Sequence, residues 1–478
     1  MTDSIAIFED TAPYVRRLVE LPRTPLLTRS SDALCLLGSC FAWHLHNEAL
    51  RGLGLNSFFE WRTGFHFSTE SLANLLEGVA GGAPHTEDDL YFYPDALGGF
   101  RPFRYYFDQR FPVERKDEVL GQLAVLDAQC AGAIRNCTHL LLVTGTPRVV
   151  RLKATGQCVA VTAKMPRCDY EHHRNTVEHE VAQLERVTEY VLRIRDGKPL
   201  TMLFMLSPMR YMFHPLCAEE HETDKGSPYV EDNLGKAIMR VALHTFLEKN
   251  AGKDRRYFPA YEIVIDELRS HEPFCGDHAH VPHFPHVSHY VVRRFLDAYV
   301  ARDLLSQIES SETLAKWTET MEALLLPAQK EAMLADFVRD MLPRIRAFAT
   351  RDKLNAALLR NVFLFLAACA GQSPGPGAEA FAAVCRAMDS PPAIAVWGVG
   401  GRYQAVFSAG VARLGQGAAR LALTDGSPGA WGREVDGLTV VSPQALAAMD
   451  VDYIFIASYE HDAIHARIRQ LGLAARVA

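Results

Sequence analysis

The sequence predicts an α/β protein, with a doubly wound parallel sheet in its larger N-terminal part and a second, smaller α/β unit at its C-terminal end. Two observations predict this fold. Short apolar runs with little polar alternation recur along the chain, as in strands that are buried on both faces. Stretches with helical spacing lie between these runs, which is the pattern of parallel sheets. The length of 478 residues also exceeds that of one ordinary domain.

The N-terminal part contains three predicted strands, and each is followed by a turn signal. The strands are Ala33–Leu37, His139–Val143 and Thr201–Leu206. Amphipathic spacing predicts helices between and after them, at Thr176–Arg195 and Asn233–Lys249. Ligands of such sheets bind beyond the carboxyl ends of the strands, so the three turns mark the expected site.

The C-terminal part begins with helical periodicity from about Ser288 to Arg360 and continues through a Gly/Pro-rich linker into the second α/β unit. In that unit a helix is predicted at Glu379–Met388 and strands at Ala393–Trp397, Leu421–Thr424 and Tyr453–Ala457. The predicted boundaries are 1–303 for the first domain, 304–370 for a helical segment, 371–378 for the linker and 379–478 for the small domain.

Composition narrows the class of protein. The formal net charge of -7 argues against a nucleic-acid binder, which needs a basic surface. No basic start followed by an apolar core is present at the N-terminus, and no apolar stretch is long enough for a membrane span. The ten cysteines show no paired spacing, which indicates reduced thiols. We therefore expect a cytoplasmic protein without a membrane span, and an oligomer is compatible with the sequence.

The turn after the first strand carries the chemistry that we expect. Ser39 stands between a buried strand and a predicted helix start, where its hydroxyl is exposed at the sheet edge and nearby N–H groups can hold an oxyanion. Serine needs a base to act as a nucleophile. The segment around Asp277 and His280 supplies one, because an Asp-x-x-His pair on a tight turn lets the carboxylate orient the imidazole.

Three competing interpretations concern neighbouring residues. Cys40 adjoins Ser39 and is an alternative nucleophile, since thiolates attack readily. A dense histidine cluster, which includes His280, contains enough donors for zinc, but its spacing matches no familiar zinc motif and favours a loop with one catalytic histidine and no metal. Arg210 follows a strand end and is a candidate to bind a substrate carboxylate or phosphate, with a structural ion pair as the alternative.

Six blocks of this sequence resemble the GSCFA family, a branch of the SGNH/GDSL-like hydrolases, in the family's order. They are Gly38–Ala42, Gly145-Thr146, Ser207–Arg210, Asn233–Ala237, Tyr257–Ile263 and Asp277–Val281. The resemblance implies a three-layer α/β/α SGNH-like fold and a Ser/Asp/His site that hydrolyses an ester or transfers an acyl group. SGNH enzymes draw oxyanion donors from the nucleophile's own N–H, a glycine and an asparagine. Gly145 matches the glycine, and Asn56 is a weaker candidate for the asparagine.

The C-terminal unit carries part of a nucleotide-binding fingerprint. Gly398, Gly400 and Gly401 follow a predicted strand, and Asp425 ends the next strand, where a ribose-binding acid would stand. The unit also resembles the small Rossmann-type domains of sugar-modifying and polysaccharide-assembly proteins in four segments, which are Thr424–Gly426, Trp431-Gly432, Val441–Pro443 and Ile456–Tyr459. That resemblance leaves two roles open, binding of a nucleotide-type ligand or a purely structural one.

Together these observations predict a serine-dependent esterase or deacylase that needs no cofactor. Its expected substrate is an acylated sugar or a polysaccharide-related small molecule or glycan. Three alternatives remain open: an acyltransferase on the same triad, a non-catalytic scaffold that binds a glycoconjugate or nucleotide, and a metal-dependent hydrolase built on the histidine cluster.

Overall fold

The computed structural model of the chain describes residues 18–21, 23–59, 65–81, 85–92, 100–102, 115–160, 167–211, 228–269, 274–275, 278–282, 286–323, 327–351, 354–369, 375–414, 418–473 and 475–478. The chain divides into two compact units. The first consists mainly of Ala33–Ala49 and Ser57–Phe295, and the second mainly of Leu296–Ala478.

Strands and helices alternate along the first unit. Its strands are β1 (Ala33–Gly38), β2 (Asn56–Phe58), β3 (Leu90–Phe92), β4 (Phe100–Pro102), β5 (His139–Thr144), β6 (Arg148–Leu152), β7 (Cys158–Val159), β8 (Tyr170–Arg174), β9 (Thr201–Leu206), β10 (Arg255–Phe258), β11 (Phe274–Cys275) and β12 (His278–Pro282). Its helices are α1 (Cys40–His44), α2 (Thr69–Gly81), α3 (Lys116–Asn136), α4 (Val177–Ile194), α5 (Pro228–Lys249), α6 (Ala260–Glu262) and α7 (His286–Tyr299). Two π-helical turns, Leu45–Leu50 and Ile263–Glu267, continue α1 and α6.

The central sheet of this unit has five strands in the order β10-β9-β5-β1-β2. The pairs β10–β9, β9–β5 and β5–β1 are parallel. Numbered along the chain, the order is 2-1-3-4-5, that of a doubly wound sheet whose ligand crevice lies between its first and third strands. The loops that follow β1 and β5 therefore meet at the crevice. The strands predicted around Leu36, Leu141 and Leu203 are confirmed.

Helices cover the central sheet. Alternate residues of its strands, such as Leu37 and Leu142, form one core with α2, α3, α4 and α5. The residues between them, such as Leu36 and Leu141, point to the other face and are also buried. There α1 contacts β1 and β5, and α6 contacts β9. Burial on both faces explains the unbroken apolar runs of the sequence, and the fold is the three-layer α/β/α arrangement.

Helix α4 shows how a predicted element forms. Its apolar residues recur every three or four positions and are buried, among them Leu184, Val187 and Val191. The helix begins after Thr176, whose side chain accepts a hydrogen bond from the His179 N–H at 3.3 Å. A capping threonine of this kind satisfies one of the free N–H groups at a helix start.

The second unit also has a mainly parallel sheet, in the order β15-β16-β14-β13-β17-β18. Its strands are β13 (Ala393–Trp397), β14 (Arg420–Thr424), β15 (Glu434–Val435), β16 (Leu438–Val441), β17 (Tyr453–Ile456) and β18 (Arg476–Val477). Its helices are α8 (Arg302–Ala323), α9 (Pro327–Asp336), α10 (Leu342–Ala349), α11 (Ala356–Cys369), α12 (Pro376–Cys385), α13 (Gly401–Val406), α14 (Ser408–Leu414), α15 (Pro443–Ala447) and α16 (His461–Gln470). The C-terminal part is therefore α/β, as predicted.

The helices predicted as the segment 304–370 share one hydrophobic core with the C-terminal sheet. Phe363 of α11 joins them, because its ring lies 6.0 Å from the ring of Phe455 in β17 and 5.4 Å from that of Phe381 in α12. Gly410 allows the close approach of α14, since a β-carbon there would lie 2.4 Å from the Phe363 ring. Within the described part of the chain no helix has both the length and the apolarity needed to cross a bilayer.

The predicted linker differs from the structure at its C-terminal end. Gly375 caps α12, and Pro376 is its first residue, so 376–378 are helical rather than part of a linker. The reason is that the fixed φ of proline suits the first helical position, where its missing N–H would in any case have no partner. Residues 371–374 lie outside the described part of the chain.

Candidate active site

A sharp turn places Ser39 at the end of β1. Gly38 has φ +121°, and a β-carbon there would lie 2.0 Å from the Val143 carbonyl oxygen of the neighbouring strand. Only glycine fits this position, both for its φ and for its space. Ser39 follows in an extended conformation as the N-cap of α1, and its N–H donates to the Val143 carbonyl at 2.9 Å.

The Ser39 hydroxyl is buried and not exposed at the sheet edge as the sequence predicted, and it has no hydrogen-bond partner among the described residues. The residue has 0 % of its surface exposed, and its Oγ contacts no donor or acceptor in hydrogen-bonding geometry. Leaving a buried polar group unpaired costs on the order of 1–3 kcal/mol. Such exceptions are rare in folded proteins and call for an explanation.

Tyr211 is the aromatic neighbour of this hydroxyl. Its phenol lies over Gly145, where a β-carbon would be 2.1 Å from Oη. The Tyr211 N–H donates to Asp232 Oδ1 at 2.8 Å, and its ring packs at 5.6 Å from the ring of Phe67. The phenol oxygen is buried and, like Ser39 Oγ, has no hydrogen-bond partner in the described part of the chain.

The chemical state of Tyr211 follows from this environment. Burial, and then the neighbouring Cys40, raise the pKa of Tyr211 well above its ordinary value of 10.0, while the Ser207 and Ser39 hydroxyls beside it oppose the increase. The phenol is therefore protonated at any physiological pH, and it is a hydrogen-bond donor next to Ser39.

Lys236 binds the carboxyl ends of β5 and β9 beside Ser39 and Tyr211. It is 2 % exposed, and its Nζ donates to the carbonyl oxygens of Gly145 and Ser207, each at 2.8 Å. The ammonium also lies 4.8 Å from the centre of the Tyr211 ring. Burial lowers the pKa of Lys236 to about 8, against the opposing attraction of Asp232. Lys236 thus ties the loop after β5 to the loop after β9.

Cys40 is a poor nucleophile in this arrangement. Its thiol donates to Met209 Sδ at 2.9 Å. Burial raises the pKa of Cys40 to about 12, although the backbone N–H groups of Cys40 and Phe41 lower it. Because only the thiolate attacks readily, the neutral Cys40 weighs against the alternative nucleophile.

The backbone donors expected for an oxyanion are already engaged. The Ser39 N–H bonds to Val143, and the Gly145 N–H donates to the Phe67 carbonyl at 3.0 Å. Asn56, the weaker candidate, is exposed in β2. Neither predicted backbone donor is free in this conformation, because each is bonded to the carbonyl oxygen of a neighbouring segment. The free donor beside Ser39 is instead the Tyr211 hydroxyl.

The remaining predicted residues of this site fall in different places. The Arg210 guanidinium lies 5.6 Å from the centre of the Tyr229 ring. Burial raises the pKa of Tyr261, and the charge of Arg210 partly opposes this increase. Asp277 lies outside the described residues. The backbone of His280 belongs to β12, but its side chain is also outside them. The predicted Asp–His pair is therefore still a prediction. Among the described residues no group of three His, Cys, Asp or Glu could hold a metal ion.

A second buried polar cluster, which the sequence did not indicate, lies between α2 and α4. Glu70 binds Arg151 of β6 and accepts hydrogen bonds from Asn175 at 3.2 Å and from His179 at 3.0 Å. Asn175 also donates to Glu180 at 2.8 Å. Burial raises the pKa of Glu180 above its ordinary value of 4.5. Glu180 Oε2 is buried without a partner in the described part of the chain, but Glu70, Arg151, Asn175, His179 and Glu180 otherwise bond to one another, so we assign the cluster to folding.

In the second unit, the glycine turn after β13 has the predicted form. Gly398 has φ +105°, and a β-carbon there would lie 2.9 Å from the Ala457 carbonyl oxygen. Gly400 caps α13 and Gly401 begins it. The Asp425 carboxylate accepts the N–H of Val399 at 2.9 Å and that of Ser427 at 2.8 Å. Asp425 thus braces the turn.

Sequence reasoning missed the roles of Tyr211 and Lys236. The available signal was their position: Tyr211 directly follows the Ser207–Arg210 block, and Lys236 lies within the Asn233–Ala237 block. The sequence did not indicate that the Tyr211 phenol and the Lys236 ammonium both lie against Gly145.

Comparison with known proteins gives one match. The model of the GSCFA family matches residues 33–295, more than half of the chain. No curated protein and no solved structure matches the chain.

Proposed function

The chain belongs to the GSCFA family, and from the geometry around Ser39 we propose that it is a serine-dependent hydrolase of the SGNH type. Its proposed substrate is an ester on an acylated sugar or a polysaccharide-related molecule. One observation carries the proposal: two buried hydroxyls without partners among the described residues, Ser39 Oγ and Tyr211 Oη, are neighbours at the ligand crevice of the sheet. Unpaired polar groups of this kind fit an unused reaction centre better than a packed core.

The proposed reaction begins with Ser39. Its Oγ forms a bond to the acyl carbon, while its proton passes to His280, which Asp277 orients. The alcohol leaves with that proton, and the acyl group remains on Ser39 as an ester. Water then attacks the ester, releases the acid and restores the serine hydroxyl. Asp277 and His280 enter this scheme through the resemblance to SGNH enzymes.

Tyr211 supplies the proposed oxyanion donor. As the tetrahedral intermediate forms, negative charge develops on the former carbonyl oxygen, and a preorganised donor there stabilises the transition state. The Tyr211 hydroxyl is protonated, buried and adjacent to Ser39, whereas the Ser39 and Gly145 N–H groups are bonded to carbonyl oxygens. Lys236 acts as a positioning residue, because it fixes the Gly145 and Ser207 carbonyls on either side of the phenol.

Acyl transfer is the second candidate. Ser39 has no exposed surface, and Met209 contacts the adjacent Cys40. Because Ser39 is fully buried, a substrate reaches Oγ only after neighbouring groups shift, and an acyl group bound there would be shielded from water. Shielding of the acyl-enzyme favours attack by a bound sugar hydroxyl over attack by water.

The test uses p-nitrophenyl acetate with the full chain, Ser39→Ala and the exposed-site control Ser31→Ala. We expect release of nitrophenol and an acetyl adduct in the intact mass of the wild type and Ser31→Ala, and neither in Ser39→Ala. Faster loss of the adduct on addition of sugar acceptors would select transfer over hydrolysis. Folded wild-type protein without any adduct would leave the scaffold alternative as the better account.

A further inference from the structure

A cavity in the second unit lies at the first turns of α8 and is lined mainly by polar side chains. Its volume is about 380 Å³, which is within the range of sites for small ligands, roughly 300–1,000 Å³. Arg29, Asp303, Gln307 and Arg351 line it, and Phe348 forms an apolar part of its wall. All five residues belong to the second unit. A ligand of this cavity would therefore be recognised mainly by charge and hydrogen bonds.

One wall of the cavity is a turn that is fixed by backbone hydrogen bonds. Asp32 Oδ2 accepts the N–H of Thr28 at 2.7 Å and that of Arg29 at 2.9 Å. Just before this turn, the Leu27 carbonyl accepts the N–H of Ala301 at 2.8 Å. Ala301 directly precedes α8. The turn is thus tied to the start of the helix that forms the opposite wall, and the cavity has a defined shape.

The charged side chains that line the cavity do not cancel. Arg351 Nη1 lies 3.0 Å from Asp303 Oδ2, so these two groups neutralise each other. The carboxylate of Asp32 is engaged by backbone N–H groups and does not line the cavity. The guanidinium of Arg29 has no hydrogen bond or ion pair among the described residues, although its backbone N–H is bonded. One positive charge therefore remains for a ligand with one negative charge.

Gln307 is a buried polar group of the same cavity. It is 5 % exposed, and its Oε1 accepts the N–H of Asn355 at 2.9 Å. That bond fixes which end of the amide is the oxygen, so Nε2 is the end that is left for the cavity. Nε2 donates to no acceptor in the described part of the chain. Buried donors without an acceptor are rare, and an oxygen atom of a ligand would satisfy this one.

We propose that the cavity binds a small carboxylate that also carries hydroxyl groups. Arg29 binds the carboxylate, because its planar fork matches the two oxygens. Gln307 Nε2 donates to one ligand hydroxyl, Asp303 accepts from another, and the Phe348 ring packs against C–H groups. A phosphate dianion fits less well, since it carries more charge than one arginine balances and would face the Asp303 carboxylate. This inference is independent of the proposed reaction at Ser39.

Two classes of molecule share this chemistry, sugar acids and simple hydroxy acids. The test is isothermal titration calorimetry of the full chain with glucuronate, lactate, glucose and acetate. We expect saturable binding of glucuronate or lactate, and weaker binding of glucose and acetate, which lack the carboxylate and the hydroxyl groups respectively. Binding of glucuronate alone identifies a sugar-acid site, and binding of lactate at least as tightly identifies a hydroxy-acid site. Binding of neither overturns the proposal, as does equally tight binding of glucose or acetate.

Two variants assign the binding to this cavity. Arg29→Gln, at an exposed position, should weaken binding by about tenfold or more, because it removes a charge-assisted contact. Arg23→Gln is the matched control, since it makes the same charge change at an exposed arginine outside the cavity, and it should bind like the wild type. Equal binding by the two variants would overturn the proposal.

Gln307→Glu tests the buried donor separately. It keeps an oxygen for the Asn355 N–H and replaces the amide donor with an acceptor that carries negative charge, so it should also weaken binding. Its melting temperature without ligand shows whether the variant is folded. A folded Gln307→Glu variant that binds as tightly as the wild type would contradict the place of Gln307 in the site.

Discussion

The Tyr211 phenol occupies the space that a side chain at Gly145 would fill, with its oxygen 2.1 Å from the position of a β-carbon. The contact joins the loop after β5 to the loop after β9. It also places the phenol oxygen beside Ser39, the first residue after β1. The three loops at the carboxyl edge of the sheet thus meet around one pair of hydroxyls.

Gly145→Ala should displace the phenol, because a methyl group and the Tyr211 ring cannot share this space. Overpacking of a buried site costs about 1–3 kcal/mol, and we expect that loss in the free energy of unfolding from urea titration. Tyr211→Ala should suppress the loss, since the double variant has room for the methyl group. If the double variant lost as much free energy of unfolding as Gly145→Ala alone, the Tyr211 ring would not be the group that excludes a side chain at position 145.

Tyr211→Phe should slow the reaction at Ser39 without lowering the stability of the fold. The lost hydroxyl has no partner among the described residues, so the free energy of unfolding should stay equal or rise slightly. Removal of an oxyanion donor lowers kcat by roughly 10²–10³, and we expect a decrease of that size in acylation of Ser39 by p-nitrophenyl acetate. Equal acylation rates in the two proteins would remove Tyr211 from the mechanism.

Lys236 should make stability depend on pH above neutrality. Its pKa is about 8 in the folded chain and 10.5 ordinarily, so between these values the unfolded chain binds more protons. Stability then rises with pH, by up to about 3 kcal/mol for a group with this difference. Relative to Lys236→Met, the wild type should gain free energy of unfolding from pH 8 to 10.5, as measured in urea at several pH values.

Lys236→Met should also be less stable than the wild type at pH 8. It leaves the Gly145 and Ser207 carbonyls without their ammonium donor, at a cost on the order of 1–3 kcal/mol each. A difference between the two proteins that does not change with pH would contradict a lowered Lys236 pKa.

Glu180→Gln should stabilise the chain at neutral pH. The glutamine retains the acceptor for Asn175 and removes a charge that burial disfavours, as the raised pKa of Glu180 shows. A raised pKa in the folded state means that wild-type stability falls as pH rises above about 4.5. The advantage of the variant should therefore grow from pH 4 to 7 in urea titrations, and a constant difference would contradict the assignment.

The sequence predicted best those features that depend only on residues close together in the chain. Apolar runs such as Thr201–Leu206 and Ala393–Trp397 are buried on both faces, so the residues of each run are enough to predict a strand. The position of Ser39 between a strand and a helix could likewise be predicted from the residues around it. In contrast, Lys236 contacts Gly145 across 91 positions of the chain, and no periodicity indicates such a contact. The hydrogen bond from the Gly145 N–H to the Phe67 carbonyl could not be predicted for the same reason.

The central claim is that Ser39 is an activated nucleophile, and covalent labelling by a fluorophosphonate tests it most directly. The intact mass of the wild type should show one adduct, and Ser39→Ala should show none, while Ser31→Ala labels like the wild type. Folded wild-type protein that stays unlabelled, or an adduct that persists in Ser39→Ala, would contradict the account.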